Sequence, residues 1–329
     1  MKAQTRHIAV TGASGQIAYS LLFRLLQQPL YGQDPVVLHL LDLPEQMKAV
    51  EGVAMELEDI ASESLKDICI GSDPHLVFKD VDFAFLVGAK PRGPGMERSD
   101  LLCQNAAIFE KQAKALQEVA GSDLRVLVVG NPCNTNAWVI GHCAPDIPKT
   151  RIHAMTRLDQ NRARALLAKK SMVELSQISE PVIWGNHSNT QVPDFTHATI
   201  RGLPASEKLE RSWLENDFVT GVQQRGSAII QARGKSSAAS ASSAAWDSAW
   251  DILHPTLEGK VFSSAVYSRG NQYGIDEDLF FSFPCRVTRS HDLEIVSGFS
   301  LDHFIQSKIK ITENELIAER QQVLALLQS

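Results

Sequence analysis

The sequence of 329 residues predicts an α/β protein with a Rossmann-type, doubly wound parallel sheet followed by an α+β domain. Three observations support this. Short apolar strands alternate with helices through the first half, the first strand runs into a glycine turn, and the alternation stops near Thr156. Short strands that are apolar on both faces are typical of parallel sheets covered by helices. Alternating strands and helices therefore indicate a doubly wound sheet.

The first half, residues 1–155, contains five predicted strands with helices between them. The strands are expected at 7–11, 36–41, 81–87, 125–129 and 151–155. The helices are expected at 16–27, 46–61 and 100–120. In a sheet of this kind, ligands bind outside the carboxyl ends of the strands, so residues that follow the strands are the first candidates for a site.

The second half, residues 156–329, mixes helices and strands without that alternation. We expect a helix at 158–168, strands at 182–184 and 196–200, a long helical region at 207–253 and an amphipathic helix at 313–327. The alanine- and serine-rich stretch 235–245 fits either a linker or a packed helix. We favour the helix, because alanine has the highest helix propensity.

Composition excludes several classes of partner and location. The formal net charge of −6 gives no basic surface for nucleic acid or an anionic membrane, and no apolar run approaches the roughly 20 residues of a spanning helix. The amino terminus lacks the basic and apolar regions of a signal peptide. The five cysteines are widely spaced, with no CxxC pair, which predicts no disulfide framework, no metal site and a cytoplasmic location.

The turn after the first strand reads Gly12-x-x-Gly15-x-x-Ala18, which departs from the usual G-x-G-x-x-G spacing. Such a turn is either structural or brings a helix N-terminus to a pyrophosphate. Asp42, at the end of the second strand, favours the second interpretation, since a carboxylate there binds the ribose hydroxyls and repels a 2′-phosphate. The pair therefore predicts NAD rather than NADP.

Short-chain dehydrogenases share a related turn but need a Tyr-x-x-x-Lys pair for proton transfer. None of the four tyrosines has a lysine four residues later. That class of enzyme is therefore disfavoured.

Charged residues that could act on an anionic substrate occur in three segments. Arg92 and Arg98 lie in a glycine- and proline-rich loop, Asp159 and Arg162 are three apart on a predicted helix, and His187 follows a strand and a glycine. A solvated loop, a surface ion pair and a structural histidine are the alternatives. Together, however, they suit a lid that brings positive charge to a carboxylate and a histidine base oriented by an aspartate.

Taken in order, these segments resemble malate dehydrogenase of the cytosolic-type branch, in the lactate/malate dehydrogenase superfamily. The matching segments are 11–18, 91–102, 130–134, 158–162 and 184–188. They lie within residues 8–188, and a looser similarity continues at 233–245. The resemblance implies an NAD-binding Rossmann domain at 1–155 and a catalytic, substrate-binding domain at 156–329.

The resemblance also implies a role for each charged residue. His187 is expected to accept the proton, with Asp159 holding its tautomer. Arg98 is expected to polarise the C2 oxygen, Arg92 to bind the distal carboxylate, and Arg162 to bind the carboxylate beside the reacting carbon. The implied substrates are malate and oxaloacetate, with a place in the tricarboxylic acid cycle.

The cofactor contacts implied by the resemblance lie at strand ends and on the helix after the lid. They are Gly12, Ala13, Ser14, Gly15, Gln16, Ile17, Asp42, Asn105, Gln112, Val129, Gly130 and Asn131. Asn131 is also expected to bind substrate, although a simple strand-ending turn remains an alternative for it. The family further implies a cis peptide before Pro132 and a homodimer.

Two alternative functions fit parts of this pattern. Lactate dehydrogenase shares the histidine, the aspartate and two of the arginines, but Arg92 opposite a methyl group would be an unpaired charge. A non-catalytic NAD-binding protein would be expected to lose at least one catalytic group, and all are present. We therefore expect a dicarboxylate dehydrogenase.

Overall fold

The computed structural model describes residues 4–90, 98–179 and 181–328, with the backbone alone at 98 and 99. The chain forms two units. The first comprises Met1–His153, Ala238–Ala249 and Gln321–Ser329, and the second comprises Ala154–Ser237 and Trp250–Arg320. The domain boundary between residues 155 and 156 stays a prediction.

A parallel sheet forms the centre of the first unit. Its strands are β1 (Arg6–Thr11), β2 (Val36–Leu41), β3 (Leu65–Gly71), β4 (Phe83–Leu86), β5 (Arg125–Val128) and β6 (Ile152–Ala154). They lie in the order β3-β2-β1-β4-β5-β6, and β1 pairs in parallel with both β2 and β4. The chain thus winds outward through β2 and β3, then returns to the other side of β1. The expected doubly wound sheet is confirmed, with its switch point between β1 and β4.

Helices connect these strands: α1 (Gln16–Gln27), α2 (Met47–Asp59), the short α3 (Pro74–Val77), α4 (Arg98–Val119) and α5 (Cys133–Cys143). Every residue of β2 and β4 is buried, as expected for strands covered on both faces. On α1, Leu21, Leu22 and Leu25 are buried and form its apolar face.

One strand of this sheet was not expected. β3 pairs with β2, lies at the end of the sheet order, and none of its residues is fully buried. An edge strand of this kind needs no continuous apolar run, so its sequence, Leu-Lys-Asp-Ile-Cys-Ile-Gly, does not resemble the other strands.

The second unit begins with α6 (Arg157–Ser171) and two small antiparallel pairs. The pairs are β7 (Val182–Trp184) with β8 (Val192–Asp194), and β9 (Thr199–Ile200) with β10 (Leu203–Pro204). Five helical segments follow: α7 (Ala205–Lys208), α8 (Arg211–Trp213), a π-helical turn at Leu214–Phe218, α9 (Val219–Gln223) and α10 (Arg225–Arg233).

The rest of the chain contains α11 (Ala239–Leu253), the antiparallel strands β11 (Phe262–Tyr267), β12 (Phe280–Val287) and β13 (Leu293–Ile295), and α12 (His303–Leu327). The core of the second unit is rich in aromatic residues, with Trp184, Phe281 and Phe283 fully buried.

Several boundaries in this half differ from the prediction. The predicted helical region 207–253 consists of several separate helices, and Gly234 ends α10 in the left-handed conformation that glycine favours. In the stretch 235–245, α11 starts at Ala239 and buries Ala241, Ala244 and Ala245, so packed helix replaces linker only from that point. The last helix starts at His303, ten residues before the predicted position.

Within the described part of the chain, no helix combines the length and apolar character needed to cross a membrane.

Candidate active site

The glycine turn after β1 is a close approach of two backbone segments. Gly12 has φ +64°, and a Cβ at this position would lie 2.7 Å from Gly88 Cα. Gly15 precedes α1, and no described side chain caps the start of that helix. The first N–H groups of α1, where Gln16 and Ile17 lie, therefore have the arrangement that receives anions at helix N-termini.

Asp42 is bonded to that turn. Its Oδ2 accepts hydrogen bonds from Ser14 N at 2.8 Å and from Ser14 Oγ at 2.7 Å, while Oδ1 accepts from Leu43 N at 2.8 Å. Ala13, which is fully buried, donates its N–H to Leu41 O at 3.3 Å. The structure thus brings the candidate ribose-binding carboxylate and the candidate phosphate turn together at the ends of β1 and β2.

The end of β5 is a second tight approach of backbone. A Cβ on Gly130 would lie 2.7 Å from Ala89 Cβ, and Asn136 Nδ2 donates to Gly130 O at 2.8 Å. Val129 is buried and Asn131 is exposed. The peptide between Asn131 and Pro132 is cis, which confirms that prediction.

The two predicted cofactor residues on α4 have different surroundings. Asn105 is fully buried, accepts from Lys90 N at 2.8 Å, and donates to Lys90 O at 3.2 Å and Leu101 O at 3.0 Å. Its side chain therefore holds the backbone of Lys90. Gln112 is also buried, but its Oε1 has no hydrogen-bond partner among the residues that the structure describes. A buried acceptor of this kind is costly unless a ligand or water satisfies it.

These features of the first unit fit a dinucleotide. Gly12 and Gly130 stand where a side chain would not fit, the uncapped start of α1 suits a phosphate, and Gln112 offers an unsatisfied acceptor. In the described ranges, no group of three or more His, Cys, Asp or Glu side chains is arranged to hold a metal ion.

In the second unit, Asp159 joins two of the other predicted catalytic residues. It lies in the first turn of α6 and is fully buried. One carboxylate oxygen, Oδ2, is bonded to His187 Nδ1, and the other, Oδ1, accepts from Arg162 Nη1 at 3.1 Å. His187 follows β7, and its side chain is 15% exposed. The fold thus brings together an aspartate and a histidine that are 28 residues apart in the sequence.

Burial alone would raise the pKa of Asp159, but the neighbouring charges and hydrogen bonds reverse the effect. The positive charge and hydrogen bond of His187, followed by the Arg162 charge and a hydrogen bond from Gln191, hold the pKa of Asp159 below its ordinary value. The carboxylate is therefore charged at neutral pH. A buried negative charge beside Nδ1 fixes the N–H on that nitrogen and stabilises an imidazolium.

Arg162 has a second partner, since its Nη2 donates to Ser237 Oγ at 3.2 Å. Its side chain is 12% exposed, so the guanidinium is held in one orientation and keeps a restricted contact with solvent. A planar guanidinium held in this way can form two parallel hydrogen bonds to a carboxylate. Arg92 lies outside the described residues, as does the side chain of Arg98.

Two residues of this cluster were not predicted from the sequence. Gln191 is buried, donates to Ser188 O at 3.1 Å, and its hydrogen bond to Asp159 helps to keep that carboxylate ionised. Ser237 binds Arg162 from 75 residues away. Neither has a motif that marks it, since polar residues of these types are common in loops.

Both halves of the chain match family models. Residues 6–153 match the lactate/malate dehydrogenase NAD binding domain, and residues 156–327 match the lactate/malate dehydrogenase alpha/beta C-terminal domain.

Two similar curated proteins are malate dehydrogenases, one of which is named as an NADP enzyme. A malate dehydrogenase of Protochlamydia amoebophila is 52% identical and covers 99% of each chain. A chloroplastic NADP malate dehydrogenase of Sorghum bicolor is 50% identical over 97% of this chain and 75% of that protein.

Among solved structures, malate dehydrogenase from Naegleria fowleri has a TM-score of 0.94 at 44% identity, covering 99% of this chain and 100% of that one. Trichomonas vaginalis lactate dehydrogenase in complex with NADH and oxamate has a TM-score of 0.95 at 35% identity, covering 98% and 99%. With both halves matched and close relatives along its full length, the chain belongs to the lactate/malate dehydrogenase family of oxidoreductases.

Proposed function

We propose that this protein is an NAD-dependent L-malate dehydrogenase, which interconverts (S)-malate and NAD⁺ with oxaloacetate, NADH and a proton. The observation that carries the proposal is the buried Asp159, bonded to His187 on one side and Arg162 on the other. This arrangement provides a proton acceptor and a carboxylate binder of the kind that oxidation of a 2-hydroxy acid requires.

In the forward reaction, His187 Nε2 accepts the proton of the malate hydroxyl while its Nδ1–H stays bonded to Asp159. The Asp159 charge stabilises the imidazolium that forms. Arg162 binds the carboxylate next to the reacting carbon. NAD, when bound, supplies the nicotinamide C4 that accepts the hydride. The reverse reaction starts from the imidazolium, which returns its proton to the substrate oxygen.

The choice of a dicarboxylate rests on the sequence. We assign Arg92 to the distal carboxylate and Arg98 to the C2 oxygen, with Asn131 as a further substrate contact. A methyl group opposite Arg92 would leave a desolvated charge without a partner, which costs several kcal/mol, on the order of a thousandfold in rate.

Steady-state rates with oxaloacetate and pyruvate, each with NADH, test the substrate. We expect oxaloacetate to be preferred by about a thousandfold in kcat/KM, in proportion to that unpaired charge. Faster turnover of pyruvate would make this chain a lactate dehydrogenase instead.

The choice of NAD over NADP rests on Asp42, which stands beside the glycine turn and is followed by Leu43 and Pro44 rather than a basic residue. A carboxylate here repels a 2′-phosphate. Because some of the matched relatives are NADP enzymes, the preference for NAD over NADP has to be measured. The ratio of kcat/KM for NADH and NADPH decides it, and a ratio below one would contradict the assignment.

We also propose a homodimer that functions in the cytoplasm and the tricarboxylic acid cycle. The family resemblance supports the dimer and the metabolic role, and the widely spaced free cysteines support a reducing compartment. Light scattering at micromolar concentration tests the dimer, and cell fractionation tests the location.

A further inference from the structure

The loop that carries His187 is held by the last helix of the chain. This His187 loop, residues 185–190, connects β7 to β8. On α12, Thr312, Glu315 and Glu319 are spaced three and four residues apart and so share one helix face. All three contact the His187 loop through polar atoms.

The residue before His187 is bonded to all three helix residues. Asn186 donates its backbone N–H to Thr312 Oγ1 at 2.9 Å. Its side-chain Nδ2 donates to Glu315 Oε2 at 3.0 Å and to Glu319 Oε1 at 3.3 Å. Asn186 is 2% exposed, and its bonds to Thr312 and Glu319 form away from bulk water, where hydrogen bonds are stronger, whereas Glu315 is partly exposed.

The residues after His187 bind the same carboxylate oxygen. The Ser188 hydroxyl donates to Glu315 Oε2 at 2.5 Å, and the Thr190 hydroxyl donates to it at 2.6 Å. One oxygen atom therefore accepts hydrogen bonds from both sequence neighbours of His187. Hydrogen bonds to an ionised acceptor are shorter and about twice as strong as neutral ones.

The backbone shape of the loop depends on the same helix face. Gly185 has φ +93°, and a Cβ there would lie 2.5 Å from Thr312 Oγ1. Its N–H donates to Ser282 O at 3.2 Å, and its carbonyl accepts from Ser282 N at 3.0 Å. The loop is thus fixed at its start by β12 and around His187 by α12.

We propose that Glu315 is a positioning residue for the reaction: it fixes the His187 imidazole by binding the residues on either side of it. The inference rests on the proposed function, because it assigns Glu315 no contact with substrate and lets it act only through His187. Asp159 fixes one ring nitrogen of His187, whereas Glu315 fixes the backbone from which the ring extends. A displacement of about 1 Å at a reacting group can lower the rate a hundredfold.

The substitution Glu315→Gln tests the proposal, because it keeps the shape of the side chain and removes the charge that three donors share. We expect kcat for oxaloacetate reduction to fall about tenfold, with the Kd for NADH unchanged within twofold. The matched control is Glu258→Gln, the same chemical change at an exposed site, which should leave kcat unchanged. Should Glu315→Gln fail to fold, Ser188→Ala removes one donor to the same oxygen, and we expect about a threefold loss of kcat.

A measurement independent of turnover separates positioning from general destabilisation. The NMR line of the His187 ring is assigned by its absence in His187→Ala. In Glu315→Gln at temperatures well below unfolding, we expect this line to shift or broaden while the other histidine lines stay in place. A wild-type His187 line together with wild-type kcat, or a loss of kcat that only tracks the folded fraction, would overturn the proposal. If the unsubstituted protein does not reduce oxaloacetate, the proposed function fails, and the His187 line still reports whether Glu315 holds the loop.

Discussion

In the first unit the candidate cofactor site consists mostly of backbone, whereas the candidate catalytic site of the second unit consists of charged side chains. At Gly12 and Gly130 a methyl group is already too large. At Asp159, by contrast, a buried carboxylate is matched to His187 and Arg162. The first site is therefore suited to select a ligand by shape and by N–H groups, and the second is suited to act by charge.

Two histidines, one in each unit, differ in their surroundings in a similar way. In the first unit, complete burial, with a smaller contribution from Arg125, lowers the pKa of His153 to about 3, so that side chain is neutral. In the second unit, His187 Nδ1 is hydrogen-bonded to the buried carboxylate of Asp159, which orients the ring. Full burial suits His153 to a structural role, whereas the bond between His187 and a carboxylate suits that histidine to proton transfer.

The largest expected effect comes from removing the charged chemistry of the second unit. We expect His187→Ala to lower kcat by about 10²- to 10⁴-fold, because general base catalysis contributes that much. Binding of NADH, measured by fluorescence titration, should stay within twofold of the unsubstituted protein. The exposed His303→Ala serves as control. Simultaneous loss of turnover and NADH binding would contradict the role of His187 as proton acceptor.

The corresponding test in the first unit adds a methyl group to the glycine turn by the substitution Gly12→Ala. Gly12 and Gly32 both have φ +64°, but a Cβ on Gly32 would meet nothing within 4 Å, whereas one on Gly12 meets Gly88 backbone. We expect Gly32→Ala to cost about 1–2 kcal/mol of unfolding free energy from backbone strain. Gly12→Ala should cost about 1–3 kcal/mol more and weaken NADH binding. Urea unfolding of the pair measures the difference, and equal losses would contradict the close approach.

The pH dependence of stability tests the neutral histidine. Above its unfolded pKa of 6.5, His153 is neutral in both states. Between pH 6.5 and about 3 the unfolded chain binds a proton that the folded protein does not, so stability falls as the pH falls. At pH 5 this loss is about 2 kcal/mol.

In His153→Gln, the drop in unfolding free energy between pH 7 and pH 5 should therefore shrink by about 2 kcal/mol, whatever the stability at pH 7. His303→Gln, at an exposed position, should keep the original slope. An unchanged slope in His153→Gln would show that the histidine is not held neutral.

The smallest expected effect concerns cofactor choice. Asp42→Asn removes the charge that repels a 2′-phosphate but keeps an oxygen that can accept from Ser14. We expect the preference for NADH over NADPH in kcat/KM to fall about tenfold, which corresponds to 1.4 kcal/mol. The exposed Asp59→Asn should leave the ratio unchanged. A constant ratio in Asp42→Asn would place the discrimination elsewhere.

The sequence predicted the parts of the fold that have a local signal. Strands buried on both faces and the glycine turn were recognised because their residues differ from those of loops. The helical region 207–253 was predicted without its breaks. The edge strand β3 was not recognised, since its pattern is set by partners elsewhere in the chain. The strands β11 to β13 were missed for the same reason.

The candidate site divides in a similar way. His187, Asp159 and Arg162 were identified from motifs, and the structure brings them together. The burial of Asn105 against Lys90 and the bonds from Glu315 to the His187 loop could not be predicted, because contacts across 15 and 127 residues leave no spacing that a single sequence displays. Candidate catalytic residues that lie in motifs can be recognised in a sequence, whereas the distant side chains that position them cannot.

The hydrogen bonds that Ser14 donates to Asp42 affect how the cofactor preference could be changed, by redesign or by evolution. Asp42 performs two tasks at once in our proposal, since the carboxylate that binds the ribose hydroxyls also accepts two hydrogen bonds from Ser14 of the glycine turn. A chain that adapts to a phosphorylated cofactor by placing a residue without an acceptor oxygen at position 42 would release Ser14. A change of cofactor by that route is expected to proceed in steps, with a substitution that re-anchors Ser14 accompanying the one that admits the phosphate.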